Sequence, residues 1–263
     1  MIPRDQAPDA VSAVLALLLA RQREALGGQL VALYLYGSLS SGDFDPASSD
    51  VDFLAVTESM LTNDALERLR AMHAEIAASG LPFATRLEGS YIPRDALRRY
   101  DSANARHPTI GVDWPFQVGF HDANWIIERA IVRERGVVLW GPAPVTLIDP
   151  VSPAQLRQAT CQQLAEVWQA RIADESFLRP RHYAAFAVLT LCRALYTLHH
   201  GVYCSKLVAA AWAATQRPTW QPLVAWALAH RPDHAESAPA ELAGVMAFLC
   251  DALAEAQRIC GQQ

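Results

Sequence analysis

The chain has 263 residues, 52% of them hydrophobic and 19% charged, with a formal net charge of −5. That is enough apolar material for one large domain or two modest ones, and it excludes a disordered tail. The acidic balance argues against nucleic acid as the main partner, because phosphate binding wants a basic face, and it suits a cationic small molecule.

Residues 9–26 read as a helix stopped by Gly27 and Gly28. Its apolar stretch, residues 11–20, is half of the about 20 residues that a membrane-spanning helix requires. Asp9, Arg21, Arg23 and Glu24 flank it, and no basic region with a cleavage site precedes it. The expectation is a soluble, cytoplasmic monomer with no membrane contact. Residues 30–36 form a short apolar run bounded by glycine, a buried strand. A polar loop follows, and residues 50–56 give a second strand. Leu66, Leu69, Met72, His73 and Ile76 recur at helical spacing until Gly80. Residues 82–92 read as a third strand, and residues 100–119, with Pro108, Gly111 and Pro115, as a long irregular segment. A helix over 122–134 and a strand over 137–140 close this half.

GPAPVTLIDP, residues 141–150, looks like a boundary. Ser152, Pro153 and Gln155 then combine a capping serine, proline at the first helical position and a capping-box glutamine. Beyond it everything reads as helix: 153–171, 180–200, 205–216, 221–229 and 240–260. The reading is a mixed α/β domain over 1–150, followed by an all-α helical domain over 151–263. Cys161, Cys192, Cys204, Cys250 and Cys260 make no C-x-x-C pair and are odd in number, which argues against a disulfide framework or a zinc site.

The informative segment is LYLYGSLSSGDFDPASSDVDFLAV, residues 33–56. A strand ends at Tyr36, and Gly37-Ser38 lets the backbone turn close to a ligand. Asp50 and Asp52 sit at i and i+2, so a strand presents both carboxylates on one face. Two like charges that close repel unless a cation sits between them, and carboxylates with phosphate oxygens suit Mg²⁺. The plainer reading, in which Asp50 only opens a strand and Asp52 faces solvent, is weakened by the Gly-Ser before it. Glu88 lies on the next strand, on one face with Arg86 and Ser90. It can bind metal, take a proton from a hydroxyl, or sit exposed at an edge.

Gly-Ser, a loop, Asp-x-Asp and a later acid on a neighbouring strand resemble the nucleotidyltransferases of the DNA polymerase β type. RLEGSYIP, GVVLWGPAPVTLIDPV and CRALYTLHHGVYCSKLVAAAWA extend the resemblance to the aminoglycoside adenylyltransferases that modify streptomycin and spectinomycin. The resemblance implies an N-terminal nucleotidyltransferase domain with ATP and acceptor held in a cleft against the helical domain. It implies ATP contacts from Gly37, Ser38, Ser49, Arg193 and Lys206, and two Mg²⁺ ions held by Asp50, Asp52 and Glu88. Glu88 is then also the general base. The acceptor is an aminoglycoside or aminocyclitol, with Glu88, Tyr91, Asp113, Trp114 and Tyr183 as candidate contacts and Asp174 and Glu175 as further charge. Streptomycin-modifying members carry an acid where this chain has Tyr183, which puts streptomycin itself in question. Transfer to a different acceptor, such as a protein hydroxyl, or a non-catalytic nucleotide-binding role stays open.

Overall fold

The computed structural model describes residues 9–262. They form two compact units, the first running to Asp45 and over Ser49–Pro150, the second taking Pro46–Ser48 and the chain from Val151. The elements of the first unit are α1 (Asp9–Leu26), β1 (Leu30–Leu35), α2 (Gly37–Ser41), β2 (Val51–Thr57), α3 (Asn63–Ala77), β3 (Leu87–Pro93), α4 (Arg94–Arg98), β4 (Arg106–Ile110), β5 (Gln117–Phe120), α5 (Asn124–Arg135) and β6 (Val137–Trp140). The strands make one mixed sheet in the order β5-β4-β3-β2-β1-β6, with β2 and β3 parallel and the other neighbours antiparallel.

Side-chain alternation divides the sheet into two chemically different faces. Leu33 and Leu35 of β1, Val51, Phe53 and Ala55 of β2, and Leu87 and Tyr91 of β3 belong to one apolar cluster. Val11, Val14, Leu15 and Leu18 of α1 and Leu69, Met72 and Ile76 of α3 complete it at helical spacing. Asp52, Glu88 and Ser90 alternate with those core residues and so project from the opposite face. The Thr62 side chain caps α3 by accepting the Ala65 N–H at 3.3 Å.

Three local expectations change. The 37–49 segment opens with a helical turn, α2, ended by Gly42 in the left-handed region. The third strand begins only at Leu87, because residues 81–86 turn twice: Ala84 N–H bonds Leu81 O, and Arg86 N–H bonds Phe83 O. Phe83 itself has φ +64°. The segment expected to be irregular, residues 100–119, contains the β4–β5 pair. Pro108 is tolerated there because β4 pairs with β3 only through Thr109 and Ile110.

The second unit is helical: α6 (Pro153–Gln163), a π-helical turn (Leu164–Trp168), α7 (Gln169–Ala173), α8 (Glu175–Leu178), α9 (Arg181–His200), α10 (Lys206–Gln216), α11 (Gln221–Ala229) and α12 (Pro239–Cys260). The capping box at Ser152 and Gln155 is formed, with bonds of 3.3 and 2.9 Å. The continuous helix expected over 153–171 is instead interrupted by the π turn and runs on to Ala173. Helix α9 is buried on most sides, from Ala184 to Leu198, and α6, α10, α11 and α12 pack against it. Cys161 and Cys260 form a disulfide that ties α6 to the end of α12 across 99 residues of sequence. Motif spacing could not find it, since only packing around α9 brings the two helices together. No helix among the described residues is long and apolar enough to cross a membrane.

Candidate active site

Asp52 and Glu88 stand opposite each other in the parallel β2–β3 register. Cross-strand neighbours on one face are about 5 Å apart at their β-carbons, so the two acids share one local field. Glu88 is pushed up from its ordinary 4.5 to about 8, first by burial and then by the charges of Asp52, Asp50, Glu128 and Asp113. In this state its carboxyl holds a proton at neutral pH. Asp50, one residue before β2, accepts from Arg86 Nε at 3.5 Å, and its side chain remains 39% exposed.

The end of β1 supplies the facing wall. Gly37 has φ +64°, and a β-carbon there would overlap the Asp52 carboxylate. Glycine is therefore required twice, by backbone and by space. Buried Ser38 Oγ has no hydrogen-bond partner among the described residues. Ser49 is buried, and its Oγ accepts the Asp45 N–H at 2.9 Å while its own N–H bonds Asp45 O at 2.8 Å. That closes the loop and delivers Asp50 to the strand.

Asp113 and Trp114 lie in the turn between β4 and β5, where Gly111 N–H bonds Trp114 O and the indole covers Gly111. Both are exposed, and they border an open cleft of about 360 Å³ with His73, Leu87 and Ile110. Tyr91 is not a pocket wall. It is completely buried, and its hydroxyl accepts from Gln22 Nε2 at 2.9 Å and meets His73 Nε2 at 2.7 Å. The alternation that turns Glu88 and Ser90 to one face turns Tyr91 to the other.

Glu128 was not read from the sequence. It sits on α5, accepts from Asn124 Nδ2 at 3.0 Å and adds to the field at Glu88. An isolated Glu on an amphipathic helix carries no signal that it stands in the field of Glu88.

Among the described residues, no three His, Cys, Asp or Glu side chains are placed to share one metal ion. In this arrangement Asp50 leans to Arg86, and the Glu88 carboxyl stands in the field of Asp52 and Asp50. Asp50 and Asp52 still fit Mg²⁺, which is commonly held by one or two carboxylates together with substrate phosphates. The unpartnered Ser38 hydroxyl beside them offers a donor for such a phosphate.

In the helical unit, Arg193 of α9 donates from Nη1 to Tyr203 Oη at 2.7 Å. Lys206 opens α10, with Nζ 4.3 Å from the centroid of the Phe186 ring. Tyr183, half-buried near the start of α9, packs against Phe177 and His182 with centroids 5.1 and 4.2 Å away. Asp174 caps α8 by accepting the Ser176 N–H at 3.0 Å; the Glu175 side chain lies outside the described residues.

Residues 19–98 match the nucleotidyltransferase domain family, and residues 146–254 match the C-terminal domain of the aminoglycoside adenylyltransferases. The chain thus pairs a match to the nucleotidyltransferase domain with a match to the C-terminal domain of the aminoglycoside adenylyltransferases. It is an enzyme of the nucleotidyltransferase class. Gly37, Ser38, Ser49, Asp50, Asp52 and Glu88 all fall within the first match, and Tyr183, Arg193 and Lys206 within the second. A spectinomycin 9-adenylyltransferase of Staphylococcus aureus is 27% identical over 208 residues, 74% of this chain and 75% of the relative. An aminoglycoside (3'') (9) adenylyltransferase of Escherichia coli is 28% identical over 216 residues, with the same shares. The crystal structure of spectinomycin adenyltransferase AAD(9) from Enterococcus faecialis with ATP and spectinomycin superposes with a TM-score of 0.74 at 17% identity. It covers 92% of this chain and 98% of its own. At that identity the likeness establishes the fold.

Proposed function

We propose that this adenylyltransferase moves AMP from ATP to a hydroxyl of an aminocyclitol or aminoglycoside, releasing pyrophosphate. The observation that carries the reading is the in-register pair of Asp52 and Glu88, with Asp50 and the Gly37 turn beside it. Asp50 and Asp52 would hold Mg²⁺ with phosphate oxygens of ATP, two ions in all, which supply Lewis-acid activation of the hydroxyl and neutralise the pyrophosphate. Ser38 donates to the triphosphate, and Ser49 keeps the loop that presents it. Glu88, once ionised as cationic charge enters its field, accepts the proton of the attacking hydroxyl as oxygen bonds to the α-phosphorus. Arg193 and Lys206 neutralise charge on the β- and γ-phosphates, where it accumulates in the transition state.

The acidic side chains of Asp113 and Glu128, both in the field of Glu88, suit a cationic acceptor. Spectinomycin is favoured over streptomycin by Tyr183, which packs against an aromatic and an imidazole ring where streptomycin-modifying members carry an acid. The test is pyrophosphate release with ATP, Mg²⁺ and spectinomycin for wild type, Asp50→Asn and Glu88→Gln. Both variants should lose at least about a hundredfold. Rates within about threefold of wild type for either variant would remove its residue from this mechanism.

A further inference from the structure

Arg193 is held in an unusual way for a cation on a helical surface. Its Nη1 donates to the Tyr203 hydroxyl at 2.7 Å, and its guanidinium carbon lies 5.1 Å from the centroid of the same ring. Among the described residues it has no carboxylate partner. A carboxylate would fix the guanidinium but cancel its charge toward an incoming anion. A neutral hydroxyl and a π face fix it and leave the charge intact.

Tyr203 is itself well anchored. It lies in the turn between α9 and α10, half-buried. Gly201, at φ +68°, ends α9 by bonding Thr197 O at 2.8 Å and packs on the Arg157 guanidinium, whose Nε donates to Leu198 O at 2.9 Å. On the other side Ser205 Oγ accepts the Val208 N–H at 3.2 Å and starts α10. One pinned turn thus holds the tyrosine that grips Arg193 and the helix start that carries Lys206.

We propose that Tyr203 is a positioning residue for nucleotide binding, orienting the Arg193 guanidinium toward the β- and γ-phosphates of ATP. This rests on the reading of Arg193 as a triphosphate ligand. Side-chain freedom that Arg193 would otherwise lose on binding is already restricted by Tyr203, so the gain is in affinity for the triphosphate end alone. The adenosine and α-phosphate parts of the ligand are indifferent to it.

The test measures binding of a non-hydrolysable ATP analogue with Mg²⁺, and of AMP, to the full chain carrying Tyr203→Phe, Tyr203→Leu or Arg193→Gln. Tyr203→Phe keeps the ring and loses the hydroxyl, so triphosphate affinity should fall about tenfold, with AMP affinity and melting temperature unchanged. kcat/KM for ATP should fall by at least the same factor, and Tyr203→Leu should lose more. If Arg193→Gln weakens the triphosphate but Tyr203→Phe does not, or tightens it, Tyr203 does not position Arg193 and the proposal fails alone. Equal losses for AMP and triphosphate with a lowered melting temperature would make Tyr203 structural and also overturn it. No effect of Arg193→Gln on the triphosphate would remove the reading of Arg193 and the proposal together.

Discussion

The Asp52 carboxylate occupies the space that a β-carbon on residue 37 would need, and residue 37 is a glycine at φ +64°. The turn after β1 and the acid on β2 are therefore one unit, since neither can move without the other. Gly37→Ala puts a side chain in the left-handed region, at about 1–2 kcal/mol, and also displaces the acid. The variant should melt a few degrees lower and lose Mg²⁺-dependent ATP binding by more than about tenfold. A calorimetric melt with and without Mg²⁺-ATP checks both.

Glu88 predicts a pH-dependent stability. Its carboxyl titrates near 8 in the fold against an ordinary 4.5, so between those values the folded chain keeps a proton that the unfolded chain has lost. Stability from this group is present below 4.5 and is lost as pH rises through 8. Glu88→Gln removes that slope. Without nucleotide or metal, the variant should gain melting temperature over wild type steadily from pH 5 to pH 8 while transfer collapses. Parallel melting curves across that range would contradict the field assigned to the site.

Three buried histidines act in the opposite direction at acid pH. Burial lowers His73 and His107 to about 4 and His121 to about 3, with neighbouring positive charge adding to the last two. Each stays neutral in the fold while the unfolded chain charges near 6.5, so stability is complete above that value and falls as pH drops toward 4. His73 stacks between Phe53 and Phe116, at 5.9 and 5.6 Å. His73→Phe should keep that stacking and flatten the acid limb of a melting-temperature profile between pH 6.5 and 4.

The Cys161–Cys260 disulfide closes a loop of 99 residues in the helical unit. In the chain-entropy account such a loop is worth about 4–5 kcal/mol. Reduction, or Cys260→Ser, should lower the melting temperature of the helical unit, whereas Cys250→Ser, at an exposed free thiol, should not. Differential scanning calorimetry with and without dithiothreitol makes the comparison.

The division into a mixed sheet and a helical region was legible in the sequence because glycine, proline and capping residues stand at nearly every boundary. The Asp50, Asp52 and Glu88 placements followed from strand periodicity, and Tyr91 could have been excluded by the same periodicity, being one step out of phase with Glu88. The β4–β5 pair was hidden by Pro108, Gly111 and Pro115, which read locally as loop although the ladder avoids Pro108 on its β3 side. Glu128, Tyr203 and the disulfide depend on tertiary packing, and no local pattern announces them.

The central claim is tested most directly by mass spectrometry of spectinomycin and streptomycin after incubation with the enzyme, ATP and Mg²⁺, with Asp52→Asn alongside. The account predicts an AMP adduct on spectinomycin that is absent with the variant. No adduct on either compound, or an equal adduct from the variant, would contradict it.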